Sequence, residues 1–226
     1  MLVLGSPALD GASITTSAAF GLAYGLLQHD MVDEFLLHYF AISAHAYTRG
    51  SWTTPEVANV VDRDERTVAF ASAGEVLAPV YLKWMLCYEE PESRTLWLGK
   101  ATPRDWLAPG EDALSAARLT TRYGRVSFNM SGSIEDEENT AGQRAYTVRA
   151  SVAVPASFAT AGPEGGLRVR LRVPLVYAGK LSGVTVGGSS WSAYDAAEET
   201  VDFSAAALTP ALIRDGLPSI VATYSV

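Results

Sequence analysis

The side chains that could do chemistry gather in one stretch, residues 34–56, where an apolar helix is expected to end in a polar loop. This stretch carries His45, Arg49, Trp52 and Glu56 close together. A carboxylate such as Glu56 can act as a general base or bind a ligand, and a nearby arginine can hold it ionised. Loops that leave a buried element with such a set of side chains often bind something. The stretch is therefore the candidate functional site.

Simpler structural roles exist for two of these residues. Glu56 follows Pro55, and proline suits the first position of a helix, where the helix dipole stabilises a carboxylate in the first turn. Trp52 could equally be a core residue. Both interpretations stay open at this point.

The two histidines of this stretch do not favour a metal site. His38 and His45 are seven residues apart and share one helix face, with Arg49 four residues further on. A histidine pair that binds a metal usually has i, i+4 spacing and an acidic residue nearby. We therefore predict no metal and no cofactor, with His38 buried in a helical core and His45 the better candidate for ligand contact.

Two apolar helices are expected to position the candidate site. Residues 14–28 are apolar nearly all round, which is typical of a buried helix. The second helix should span residues 31–48, beginning near Asp30 or Asp33 and ending at Gly50, and the two would form an αα-hairpin. A further helix is expected over residues 74–88.

From Pro91 onward the apolar residues alternate with polar ones, as in β-strands. Residues 167–173 alternate perfectly, with leucine and valine on one face and three arginines on the other. Turn signals at residues 123–124 and 187–188 separate other short strands. The sequence therefore predicts an α+β protein, with a helical segment over residues 1–91 followed by an antiparallel β-sandwich over residues 92–226.

Two charged stretches lie within the predicted sandwich. The three arginines at 168, 170 and 172 could bind an anionic sugar or a phosphate, or pack their aliphatic stems against the helical part. The acidic run 135–138 lacks the ligand spacing of a calcium loop, so we expect a solvated hairpin tip there.

Composition narrows the classes of partner. With 48% apolar and 19% charged residues the chain should bury a core, and its net charge of −8 disfavours nucleic acid. No segment reads as a signal peptide or reaches membrane-spanning length, so no membrane partner is expected. The single cysteine, Cys87, is expected to be a small buried residue in the third helix.

The order of three sequence segments resembles a known family. Residues 45–56 (HAYTRGSWTTPE) follow an apolar helix, residues 96–107 (LWLGKATPRDWL) open the strand-rich part, and residues 181–191 (LSGVTVGGSSW) come near its end. This order resembles the C-terminal end of six-hairpin, (α/α)6-barrel glycosidase-like proteins. The resemblance spans most of the chain and is most specific at Arg49, Trp52 and Glu56.

The resemblance implies a carbohydrate partner and a site in which Glu56 is catalytic. His45, Arg49 and Trp52 would then contact the substrate, with the Trp52 ring stacked on a sugar. Such a barrel needs six helical hairpins, however, and this sequence has room for about one and a half. Glycoside hydrolysis by the usual route also needs two carboxyl groups, roughly 5 to 10 Å apart. We therefore expect a C-terminal fragment of a glycoside hydrolase-like protein that is inactive alone.

Two alternatives remain beside this hypothesis. The sandwich could be a glycan-binding module that uses exposed aromatic residues such as Trp106, Trp191 or Tyr194, or it could be a purely structural module without catalysis. In the fragment interpretation, the apolar helices should self-associate or pack on the missing hairpins.

Overall fold

The structure is a computed structural model that describes residues 6–7, 13–15, 20–45, 53–54, 58–59, 72–138, 144–214 and 216–225. The chain divides into two compact units, residues 1–85 and residues 86–226. The first unit holds most of the helical residues and the second holds two open sheets. The predicted α+β class is confirmed at this level.

The first unit contains four described helices, α1 (Phe20–Gln28), α2 (Val32–His45), α3 (Ser72–Glu75) and α4 (Leu77–Leu86). The last residue of α4 already belongs to the second unit. Three short strands, β1 (Ser6–Pro7), β2 (Ser13–Thr15) and β3 (Ala58–Asn59), form an antiparallel sheet in the order β1-β2-β3. In the described ranges no helix is long and apolar enough to cross a membrane.

Aromatic side chains hold α1 and α2 against α4. The Trp84 ring on α4 meets the edges of Phe20 and Tyr24 on α1, with centroids 5.0 and 5.2 Å apart. Tyr81, one turn earlier on α4, lies 6.2 Å from Phe35 of α2. Edge-to-face pairs of this kind add stability beyond the area that they bury. His38 is buried as predicted, at 1% exposure.

Two helix boundaries differ from the sequence prediction. The first helix does not begin at residue 14, because residues 13–15 pair as β2 with β1 and β3; Ile14 and Thr15 are β-branched and suit a strand. Asp30 lies in the connection between α1 and α2 with a left-handed backbone (φ 56°), so Asp33 instead supplies the acidic first turn of α2.

The third predicted helix also ends early. Cys87 and Tyr88 lie in strand β4 (Cys87–Glu89), where they pair with Leu98 and Trp97 of β5 (Leu96–Leu98). The helical prediction for Cys87 is therefore wrong, because ladder pairing with a distant segment outweighs local periodicity. Cys87 is nevertheless buried, as expected.

The larger sheet of the second unit has six strands, all paired antiparallel. They are β6 (Leu114–Thr121), β7 (Gly124–Glu138), β8 (Arg144–Ala153), β10 (Leu181–Val186), β11 (Ser189–Ser190) and β14 (Leu217–Tyr224). Their order is β11-β10-β14-β8-β7-β6. The last strand of the chain thus lies in the middle of this sheet.

The smaller sheet has five strands, β4 and β5 with β9 (Leu167–Arg170), β12 (Tyr194–Asp195) and β13 (Thr200–Phe203), in the order β12-β13-β9-β5-β4. Its pairs are antiparallel except β5 with β9, which is parallel. A 3-10 helix (Arg104–Leu107) and two four-residue helices, α5 (Phe158–Ala161) and α6 (Pro210–Ile213), connect the strands.

One hydrophobic core receives side chains from both sheets, which makes the second unit sandwich-like. The alternation predicted for residues 167–173 is confirmed, since Leu167, Val169, Leu171 and Val173 are all fully buried in this core. Gly99 directly follows β5 and has φ 69°, and a Cβ there would lie 2.6 Å from the Arg170 carbonyl oxygen. A glycine is therefore required where the chain leaving β5 comes close to the end of β9.

The acidic run 135–138 lies at the end of the β7–β8 hairpin, directly before the connection between the two strands. It forms the end of β7, where Glu138 pairs with Arg144 of β8. The Glu135 carboxylate accepts hydrogen bonds from Thr147 Oγ1 at 2.7 Å and from Arg149 Nη2 at 3.0 Å. Because of these cross-strand contacts, β7 continues through the acidic residues, further than their charges alone suggested.

Candidate functional site

The site predicted from the sequence falls mainly outside the described residues. Arg49, Trp52 and Glu56 lie there, and so does the side chain of His45, whose backbone closes α2. The described part of the loop is residues 53–54, of which Thr54 is fully buried. The roles assigned to the four site residues therefore stay predictions.

A cavity of about 420 Å³ lies at one end of the five-stranded sheet, and we call it the Trp191 pocket. Its lining comes from the start of β9, from residues 190–193 and from the end of β13 with the segment that follows it. The lining residues are Gly165, Leu167, Arg168, Ser190, Trp191, Ser192, Ala193, Asp202, Phe203, Ser204 and Ala207. Its volume falls within the range of small-molecule sites, roughly 300 to 1,000 Å³.

Trp191 is held firmly in the wall of this pocket. Its indole Nε1 donates to the carbonyl oxygens of Ala193 and Asp202, each at 3.1 Å. Its ring lies 5.0 Å from that of Phe203, a core residue, at an interplanar angle of 32°. Because the N–H is used and the ring is packed, Trp191 offers the pocket a fixed apolar surface.

A charged pair stands beside this apolar surface. Arg168 Nε lies 3.5 Å from Asp202 Oδ1, across the β9–β13 ladder in which the two residues are directly paired. The Arg168 guanidinium also lies over the Trp97 ring, with Cζ 4.9 Å from the centroid. Burial raises the pKa of the Asp202 carboxyl, and the Arg168 charge opposes that rise. The Arg168 and Asp202 side chains are 43% and 30% exposed, although the Asp202 Oδ1 atom itself is buried.

Arg170, the next arginine along this strand, is also matched by acceptors. Arg170 Nε donates to the Glu198 carbonyl oxygen at 3.0 Å, and its Nη2 lies 3.4 Å from the Glu198 carboxylate. Arg172 is buried, at 4% exposure. The arginine row therefore does not form an open anion site, which removes the support for a phosphate or anionic sugar at these residues.

A second charged pair is buried within the sandwich-like unit. Arg104 Nη1 lies 2.8 Å from Glu199 Oε2 and also donates to the Val173 carbonyl oxygen at 2.7 Å. The Glu199 side chain is only 3% exposed. Burial raises the pKa of the Glu199 carboxyl, and the Arg104 charge and hydrogen bond oppose the rise. This pair ties the 3-10 helix to the segment between β12 and β13.

Sequence reasoning named Trp191 as one of three aromatic candidates and missed its surroundings. Trp106, Trp191 and Tyr194 are each half-buried, and only Trp191 lines the pocket. The turn at residues 187–188 could have indicated the position of Trp191 in the sequence, because it reverses the chain from β10 into β11 and Trp191 directly follows β11. The Arg168–Asp202 pairing carried no such signal, because it depends on the register between β9 and β13.

The described side chains do not bring three or more His, Cys, Asp or Glu residues together in a group that could hold a metal ion. No protein-family model, curated protein or solved structure matches the chain.

Proposed function

We propose that this chain is the C-terminal region of a carbohydrate-active, glycoside hydrolase-like protein and that these 226 residues do not turn over substrate alone. In this proposal α1 and α2 are part of an (α/α) toroid, and Glu56 is a catalytic carboxylate. His45, Arg49 and Trp52 contact the sugar.

The order of the parts is the observation that carries the proposal. Helices lead into a sandwich-like pair of open sheets in one chain, and the family that the sequence resembles has this order. The α1–α2 hairpin and its connection also expose large apolar side chains, between 43% and 54% for Phe20, Leu22, Met31, Leu37 and Phe40. Exposed apolar surface of this kind is typical of a face that packs against further structure, here the other hairpins of the toroid.

The chemistry explains why we expect no turnover from the present chain. A glycosidase needs an acid and a base or nucleophile on opposite sides of the bond, and it needs a concave site that holds the sugar and excludes water. Glu56 supplies one carboxylate at most. The rest of the barrel would have to supply the partner and the cavity.

A glycan-binding module without catalysis is the second candidate, and the Trp191 pocket favours it. The pocket combines an apolar ring, a charged pair and serine hydroxyls, which is a lining suited to a polyhydroxylated ligand. The two candidates are compatible, because sandwich units can bind substrate beside a catalytic barrel.

The test compares the present chain with a longer protein that carries further helical hairpins on its N-terminal side. We expect hydrolysis of an oligosaccharide only from the extended protein. In that protein Glu56→Gln keeps the shape and removes the charge, so kcat should fall about a hundredfold or more. Glu75→Gln is the matched control, since Glu75 is an exposed helical acid and its loss should leave kcat unchanged.

Two results would contradict the proposal. Rapid hydrolysis by the 226-residue chain would show that no further hairpins are needed. Full activity of the extended Glu56→Gln protein would return Glu56 to the structural role of a first-turn helix residue.

A further inference from the structure

We propose that the Trp191 pocket binds one or two rings of a neutral hexopyranose oligosaccharide. This inference deepens the proposed function and rests on it for the ligand class, while the site itself belongs to the sandwich-like unit and not to the predicted Glu56 region. Three features of the lining support it: a fixed indole surface, a coupled donor and acceptor, and hydroxyl groups around the rim.

The indole suits the apolar face of a pyranose ring. The axial C–H groups of a hexose are weakly positive and are attracted to the electron-rich face of an aromatic ring. Trp191 is fixed before any ligand arrives, by two hydrogen bonds from Nε1 and by its packing on Phe203. A ligand that meets a fixed side chain loses less free energy to ordering the site.

Asp202 and Arg168 suit adjacent hydroxyl groups. Sugar hydroxyls both donate and accept, so a carboxylate and a guanidinium side by side can receive one hydrogen bond and give another. The 3.5 Å contact between Arg168 Nε and Asp202 Oδ1, with the stacking of Arg168 on Trp97, fixes the direction of both groups. Ser190, Ser192 and Ser204 add hydroxyls within the same cavity.

The charges select a neutral sugar over an acidic one. Arg168 is balanced by Asp202 and Arg170 faces Glu198, so the pocket carries no uncompensated positive charge in its described lining. A uronic acid or sulfated sugar would place its charge beside the Asp202 carboxylate, in a protein whose net charge is −8. Like charges brought together in this way weaken binding.

The test follows the Trp191 indole N–H signal of the full chain by NMR while hexaoses are added. The neutral probes are cellohexaose, maltohexaose, mannohexaose and laminarihexaose, and oligogalacturonate is the acidic comparison. We expect at least one neutral hexaose to shift the Trp191 signal with a Kd in the millimolar range or below, and oligogalacturonate to bind at least tenfold more weakly.

Two variants locate the binding. Asp202→Asn removes the charged acceptor and keeps the shape, and Ser192→Gln fills the cavity from an exposed loop; each should weaken the Kd about tenfold or more. Ser151→Gln is the matched control, because Ser151 is an exposed serine on the six-stranded sheet outside the pocket lining. Its Kd should match that of the unmodified chain.

Three outcomes would overturn the inference: no neutral hexaose shifts the Trp191 signal at millimolar concentration, the acidic oligomer binds best, or Ser151→Gln weakens binding as much as Ser192→Gln. Failure of the proposed function would look different. Binding at Trp191 combined with no hydrolysis by the hairpin-extended protein would refute the catalytic proposal and leave this site in place.

Discussion

Replacing Arg104 should destabilise the sandwich-like unit strongly, although the Arg104 side chain is itself partly exposed. The substitution Arg104→Met keeps the aliphatic stem and removes the charge. It leaves the Glu199 carboxylate, whose side chain is 3% exposed, without the ion-pair partner that now lies 2.8 Å away. It also removes the hydrogen bond that Arg104 donates to the Val173 carbonyl oxygen.

The expected size follows from the burial of the two partners. Removing one member of a buried pair typically costs 3 to 5 kcal/mol, because the other charge remains buried and uncompensated. Arg104 is 24% exposed, which points to the lower end of that range, about 3 kcal/mol. For a unit of this size such a loss lowers the Tm by roughly 10 °C.

The pH dependence gives the prediction a second, independent signature. Burial raises the folded-state pKa of Glu199, so its contribution to stability is greatest below the unfolded pKa and is lost as pH rises through the folded value. Without Arg104, which opposes the rise, the folded pKa should be higher still. The stability difference between the two proteins should therefore grow from pH 4 to pH 7.

Calorimetry of the full chain measures this, with Arg149→Met as the matched control. Arg149 pairs with Glu135 at 3.0 Å, but these side chains are 56% and 38% exposed, so its loss should cost at most about 1 kcal/mol. Equal Tm shifts for the two variants would refute the argument from burial. A shift for Arg104→Met that does not change between pH 4 and pH 7 would refute the assignment to Glu199.

Three further predictions follow from the architecture. A protein segment of residues 86–226 should unfold in one cooperative thermal transition. A segment that starts at residue 92 should be less stable, because it lacks β4. A non-cooperative thermal transition of the longer segment would contradict this prediction. Leu37→Glu should reduce self-association, measured by light scattering, and hydrophobic-dye binding, measured by fluorescence. If the unmodified protein is monomeric and binds no dye, the proposed packing surface loses its basis. In a hairpin-extended protein, Trp52→Ala should raise KM with little change in kcat, as lost sugar stacking does, and a fall in kcat alone would argue against a binding role.

Local pattern was enough to predict most strands of the second unit. The alternation at residues 167–173 identified its buried face, and the turns at residues 123–124 and 187–188 identified the β6–β7 and β10–β11 hairpins. Each of these signals depends on neighbours in the chain. The same holds for α2, where apolar spacing and the acidic first turn were visible in the sequence.

Features that depend on distant partners could not be predicted. Cys87 looked helical because its strand partner, Leu98, lies beyond a turn. The parallel β5–β9 pair, the burial of Glu199 beside Arg104 and the juxtaposition of Arg168 with Asp202 all depend on register between strands far apart in sequence. The Trp191 pocket is made of such contacts, so its polar half was invisible in the sequence.

The position of β14 at the end of the sequence affects how the protein folds while it is being synthesised. Ala150 of β8 pairs with Ile220 of β14, and Leu96 of β5 pairs with Leu167 of β9, so each sheet of the second unit contains a strand whose partner is translated about 70 residues later. At 5 to 20 residues per second, those strand edges stay unpaired for roughly 4 to 14 s on the ribosome. Unpaired edges recruit other chains. The nascent protein should therefore depend on chaperones during the interval before Tyr224 emerges, and fast translation of residues 97–220 should raise its soluble yield.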